Sequence, residues 1–216
     1  IMNNKFITLL ASLMFIFSIS SLKAADYNFG LSFMTGQLDT SGHELENGAA
    51  ADKNSKSFKE VFLGGSVFVE ALTDGGYAFG IDYVPLDIDV GDGKRTDADG
   101  GDATGEADTG NRSASASLED LITAYANVPL GGNGLYGLVG YHTVTVSTSE
   151  SLPSSKYGNA DINGYQIGLG KRGDNFKFEV FYSDFEDISL TATGGKGSHK
   201  VEADADALGM KLSILF

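Results

Sequence analysis

The sequence predicts an all-β chain, with eight antiparallel strands in up-and-down order closed into a transmembrane β-barrel. Three observations carry this expectation. Apolar side chains recur at every second position through eight segments, the period of a strand with one apolar face. The connections between those segments alternate short and long. In the sixth and eighth segments the faces are also sorted by size, with the larger residues on one and mostly Gly, Ser or Ala on the other, and the polar faces hold isolated charges. Alternation by itself equally describes a β-sandwich or a soluble lipocalin-type barrel, but those turn their bulky apolar side chains inward and their charges outward. Here the charges stand singly among glycines, as on the inner wall of a narrow membrane barrel.

The first segment, about 27–38, sets Tyr27, Phe29, Leu31 and Phe33 against Asn28, Gly30, Ser32 and Met34. The second, about 56–71, places Val61, Leu63, Val67 and Val69 on one side and Glu60, Gly64, Ser66, Phe68 and Glu70 on the other. Leu72-Thr73-Asp74-Gly75-Gly76 then turns the chain, its glycines permitting the positive φ that hairpins require. The third alternates Tyr77, Phe79, Ile81 and Tyr83 with Ala78, Gly80, Asp82 and Val84. The fourth, about 115–128, also reads as a helical patch through Leu121-Ile122-Thr123-Ala124-Tyr125-Ala126, and the turn Pro129-Leu130-Gly131-Gly132-Asn133-Gly134 decides for a strand. The fifth, 135–147, is rich in Val, Thr and Tyr. In the sixth, about 161–171, Tyr165, Ile167 and Leu169 oppose Gly164, Gln166, Gly168 and Gly170, before the turn Arg172-Gly173-Asp174-Asn175. The seventh runs from Phe176 to about Ala192 and the eighth from about Lys200 to Phe216.

Connections at 72–76, 129–134 and 172–175 are short, whereas those at about 39–55, 88–114, 149–160 and 193–199 are longer and polar. Short turns at one end and long loops at the other describe a barrel with both termini periplasmic and four loops extracellular. The three prolines, Pro85, Pro129 and Pro153, fall near strand ends or turns, where a missing N–H breaks little of the ladder.

Residues 1–25 read as a secretory signal: Lys5 supplies a positive start, Phe6 to Ile19 an apolar core, and Leu22-Lys23-Ala24-Ala25 small residues at a cleavage site. The apolar run falls short of the about 20 residues that a spanning helix needs. Residues 26–216 then form one barrel domain. Loss of Lys5 and Lys23 leaves 13 basic against 29 acidic residues, a net charge of −16, which excludes nucleic acid as a partner. There is no cysteine, so the scaffold is hydrogen-bonded rather than disulfide-stapled. Abundant glycine, 29 residues, and 11% aromatics suit strands and turns.

Leu208, Met210, Leu212, Ile214 and Phe216 form one face of the eighth strand, and its terminal aromatic is similar to the C-terminal signature by which outer-membrane barrels are recognised for assembly. With the signal, the strand count and the loop alternation, the chain resembles the small eight-stranded bacterial outer-membrane barrels, the group of OmpX, the opacity proteins and the transmembrane domain of OmpA. The resemblance implies an outer-membrane location, lipid and lipopolysaccharide as surroundings, the barrel assembly machinery as a partner reading Leu212, Ile214 and Phe216, and a monomer without cofactor. It implies a role in envelope structure or in surface interaction and adhesion through the loops. The alternative is a narrow porin-like channel.

An eight-stranded barrel has an interior that its own side chains fill, so inward charges need partners. Counting from the short turns puts Asp82, Glu179 and Lys211 at one height with Gln166 near it, and Glu70 and Lys177 in a tier closer to the turns. Such a network is either a plug or a gate whose re-pairing opens a water path. The histidines make no catalytic case: His43 and His199 fall in expected loops, and His142 lies on the fifth strand facing the lumen or near the rim. A rim-level pairing with Ser147 lacks a supporting carboxylate, so no enzyme is expected. The 88–114 segment carries Asp89, Asp92, Asp97, Asp99, Asp102, Glu106 and Asp108 among glycines. Asp97-Ala98-Asp99-Gly100 has no glutamate at EF-hand spacing, so the segment reads as an acidic, solvated loop rather than a metal site.

Overall fold

The computed structural model describes residues 26–45, 53–97, 110–151, 156–193 and 200–216. The expected signal, 1–25, lies outside them, as do His199, Asp99, Asp102, Glu106 and Asp108. The strand segments are β1 (Asp26–Leu45), β2 (Lys53–Leu72), β3 (Ala78–Val84), β4 (Ile88–Asp97), β5 (Gly110–Pro129), β6 (Leu135–Glu150), β7 (Ala160–Arg172), β8 (Phe176–Phe185), β9 (Ile188–Thr191) and β10 (Lys200–Leu215). All belong to one antiparallel sheet. β3 and β4 are two parts of one barrel strand, since both pair with β5, and β8 and β9 are likewise two parts of another along β10. Eight barrel strands result, in up-and-down order. Pairing of β1 with β10, from Gly30 opposite Leu215 to Leu45 opposite Lys200, closes the sheet and leaves no open edge for a bilayer to meet.

The first break follows from chemistry at Pro85, which has no N–H to give to the ladder. Across from it β5 bulges between Glu119 and Ile122, where Asp120 adopts a φ of 53°. The second break falls at Glu186-Asp187, within the single strand expected from 176 to 192.

Two of the expected long loops are much reduced. Strand pairing continues to Leu45 and resumes at Lys53, and β4 and β5 occupy most of 88–114. His43, expected in a loop, lies in β1, with its Nε2 3.1 Å from Oε2 of Glu202 on β10. Backbone ladder bonds do not depend on side-chain polarity, so strands persist where the outward residues turn polar and the apolar alternation fades.

The exposed face divides by height. Tyr27, Tyr77, Phe176 and Phe216 ring the turn end, all exposed. Above them comes a belt that includes Phe29, Leu31, Val61, Leu63, Ile167, Leu169, Leu208 and Leu212, each more than half exposed. In a soluble protein so much exposed apolar surface would be a liability. A second aromatic ring follows, with Tyr141, Tyr165 and Tyr182 exposed and Tyr83 half-buried beside them. The rings of Tyr141 and Tyr165 meet edge to face at 5.4 Å. Beyond it the outward positions become acidic: Asp120, Asp161, Asp184, Glu186, Asp204 and Asp206. An apolar band between two aromatic girdles is the outer surface of a transmembrane barrel. A strand of 20 residues reaches roughly 65 Å, and at a tilt of about 40° rises roughly 50 Å, about twice the ~25 Å band. The barrel therefore projects well past the membrane at its loop end.

Candidate functional site

Among the described residues buried charge concentrates in the lumen, where it is arranged in tiers. Nearest the turns, Lys177 on β8 reaches across to Glu70 on β2, with Nζ 3.0 Å from Oε2. Arg172, at the end of β7, places Nη1 2.6 Å from the other oxygen of the same carboxylate. The Tyr125 hydroxyl donates to Glu70 Oε2 at 2.9 Å, and Asn28 Nδ2 stands 3.5 Å from Oε1. Lys177 also sits over the Phe68 ring, 4.2 Å from its centroid, so its alkyl stem and charge are enclosed on every side.

The next tier is centred on Lys211. Its Nζ lies 3.3 Å from Asp82 Oδ2 and 3.3 Å from Glu179 Oε2, with Glu179 directly opposite it in the β8–β10 register. Ser66 donates to Asp82 at 3.0 Å and Tyr136 to Glu179 at 2.7 Å. Asp82, Glu179 and Lys211 are thus brought together at one level, with Glu70 and Lys177 below them. Gln166 stands apart from these charges and donates to Ser183 at 3.2 Å. The two tiers hold three cations, Lys177, Lys211 and Arg172, and three carboxylates, Glu70, Asp82 and Glu179. The cluster is electrically neutral. Neutrality matters because an unpaired charge at these buried positions costs several kcal/mol.

Arg172 and the two tyrosines escaped the sequence reading. In the sequence Arg172 opens a turn, and Tyr125 and Tyr136 look like any other aromatic in an alternating segment. Their signal is a glycine opposite each on the next strand: Gly80 faces Tyr125 and Gly170 faces Tyr136. A Cβ on either glycine would lie 2.4 Å from the tyrosine ring. The missing side chains allow the rings to lie flat along the inner wall and present their hydroxyls to the carboxylates.

A third tier is polar but uncharged. Both ring nitrogens of His142 are engaged by hydroxyls, Nδ1 with Thr123 at 2.8 Å and Nε2 with Ser183 at 3.0 Å, and its ring stacks on Phe185. Ser147 faces the other way and meets Asn159 at 3.3 Å, so the rim pairing of His142 with Ser147 does not form. Above His142 the inner wall turns apolar, with Leu38, Phe62, Val84, Leu121 and Val144 all buried. The space left between this layer and the Lys211 tier is about 40 Å³, room for no more than a few waters. The lumen is blocked twice, by ion pairs and by an apolar layer. Among the described residues it widens again at the loop end, into a cavity of about 450 Å³.

No family model matches the chain, and no curated protein matches it. Among solved structures it is similar to the outer membrane protease OmpT from Escherichia coli, at 11% identity over 90% of this chain and 100% of that one, with a TM-score of 0.53. It is also similar to the outer membrane protein OprG from Pseudomonas aeruginosa (15% identity, 90% and 97% covered, TM-score 0.48) and to Ail, the attachment invasion locus protein of Yersinia pestis (13%, 88% and 99%, TM-score 0.40). At 11% identity the likeness to OmpT is one of fold alone, a closed β-barrel.

Proposed function

We propose that this chain is an integral outer-membrane barrel acting as a sealed scaffold, whose work is envelope structure or surface interaction through its loop end. The observation that carries this reading is the neutral, side-chain-filled lumen, in which each carboxylate of the charged tiers already faces a cation. A path for solutes would require breaking those pairs and parting the apolar layer above them. The alternative of a narrow channel draws only on the polar character of the lower tiers. The turn end, with both described chain ends near it, faces the periplasm, and the acidic collar above the second girdle stands among the lipid sugars outside. Leu212, Ile214 and Phe216, on the outward face of the closing strand, act as the assembly signal. The barrel is a monomer, and its buried His142 has no catalytic duty.

Two assays test this. An epitope inserted between residues 98 and 109 is expected to be stained on intact cells, whereas staining only after permeabilisation would reverse the orientation. Vesicles carrying the protein should swell in small sugars and amino acids no faster than empty ones. Rapid, protein-dependent swelling would make the channel reading the correct one.

A further inference from the structure

The 450 Å³ cavity at the loop end is separated from the charged tiers by the apolar layer, and it exists because the inward side chains shrink. Along β5 they pass from Leu118 to Ala116 and Ala114, and along β1 from Leu38 to Thr40 and Gly42. A narrow barrel is ordinarily filled by its own side chains, so this run of small residues leaves a vacancy of the size that small-molecule sites have. Phe58, Val90, Leu190 and Val201 supply an apolar wall.

Few polar groups enter it. Lys56 projects its ammonium over the Phe58 ring, 4.8 Å from the centroid, and among the described residues no carboxylate lies within ion-pair distance of it. Glu150, on the opposite wall, already accepts from the Thr148 hydroxyl at 2.6 Å and the Tyr157 amide at 3.2 Å. His43 is held by Glu202, and Asp92 and Lys94 at the border contribute opposite charges. Thr40 Oγ1 is buried without a hydrogen-bond partner. Among the described residues the cavity thus offers an apolar wall, the ammonium of Lys56 with no carboxylate at ion-pair distance, and the buried, unpartnered hydroxyl of Thr40.

We propose that this cavity is a binding site for a small molecule with an apolar body and a single carboxylate, the carboxylate pairing with Lys56 and the body lying against Phe58, Leu190 and Val201. The site needs no open lumen, so it stands whether or not the barrel beneath conducts.

The test is a titration of [1-13C]decanoate into the full chain held in lipid nanodiscs, followed by NMR, with empty discs as the baseline for partitioning. The wild-type protein is expected to bind one decanoate per barrel saturably. Ala116→Phe and, independently, Ala203→Phe fill the cavity and should abolish that binding, with barrel folding verified by the gel shift between unheated and boiled samples. Lys56→Met should weaken decanoate by about tenfold or more, the worth of a charge-assisted contact, and leave decan-1-ol binding unchanged. Absence of saturable binding above empty discs would overturn the proposal. So would wild-type affinity in a folded cavity-filled variant, or a Lys56→Met variant that holds decanoate as tightly as wild type.

Discussion

At the scale of single residues, the lumen distributes its charges unequally, and this sets which substitutions matter. Lys211 is the near cation for both Asp82 and Glu179. Lys211→Met therefore leaves two buried carboxylates short of a partner and should destabilise the barrel by about 3–5 kcal/mol if the site is dry, less where water enters. Glu70, by contrast, has two cations and the Tyr125 hydroxyl. Arg172→Met should cost distinctly less, because Lys177 still neutralises Glu70. Urea unfolding in detergent micelles separates the two, and equal losses would show that the tiers share charge as one pool. The heights of Asp82, Glu179 and Lys211 were legible in the sequence because strand parity and a known turn fix a residue's level and face. Arg172 was not, because in the sequence it opens the Arg172-Gly173-Asp174-Asn175 turn, whereas β7 extends to include it and pairs it with Lys177 on the inner wall.

At the scale of elements, strand pairing is organised by rings laid over glycines, with Tyr125 across Gly80, Tyr136 across Gly170 and Phe181 across Gly209. Gly170→Val would push the Tyr136 ring from the wall and break its bond to Glu179. The expected loss is roughly 1–3 kcal/mol, the usual cost of overpacking, and it should be largely absent when the same change is made in a Tyr136→Ala background. A full loss in both backgrounds would place the strain in the backbone instead. Strand existence and the three short turns were readable because apolar alternation and Gly-rich punctuation mark them. Loop lengths were not, since past the second girdle the outward positions turn polar and, farther up, inward ones shrink to Thr, Gly and Ala, so the apolar alternation that marks a strand fades. The closing strand carries a separate test. Phe216→Asp removes an exposed aromatic without touching the lumen, so it should lower the amount of assembled barrel in cells while leaving stability in micelles nearly unchanged. Normal cellular levels would make that aromatic incidental to assembly.

At the scale of the whole molecule, the sequence and the structure agree on the eight-stranded closed barrel, because burying one face in lipid and the other in a narrow lumen forces a distinct composition on each. What the alternation could not reveal is the change inside the barrel, from ion pairs at the turn end to apolar packing and then an open cavity at the loop end. A membrane barrel of this kind should stay folded in detergent on an unheated gel and migrate differently after boiling. A folded, detergent-free soluble monomer would contradict the exposed apolar band. The claim that the two blocks seal the lumen is tested most directly by single-channel recording of the refolded wild-type protein in a planar bilayer. A sealed lumen should leave the bilayer electrically silent apart from rare, brief openings, and a large, long-lived conductance would show that the two blocks do not close it.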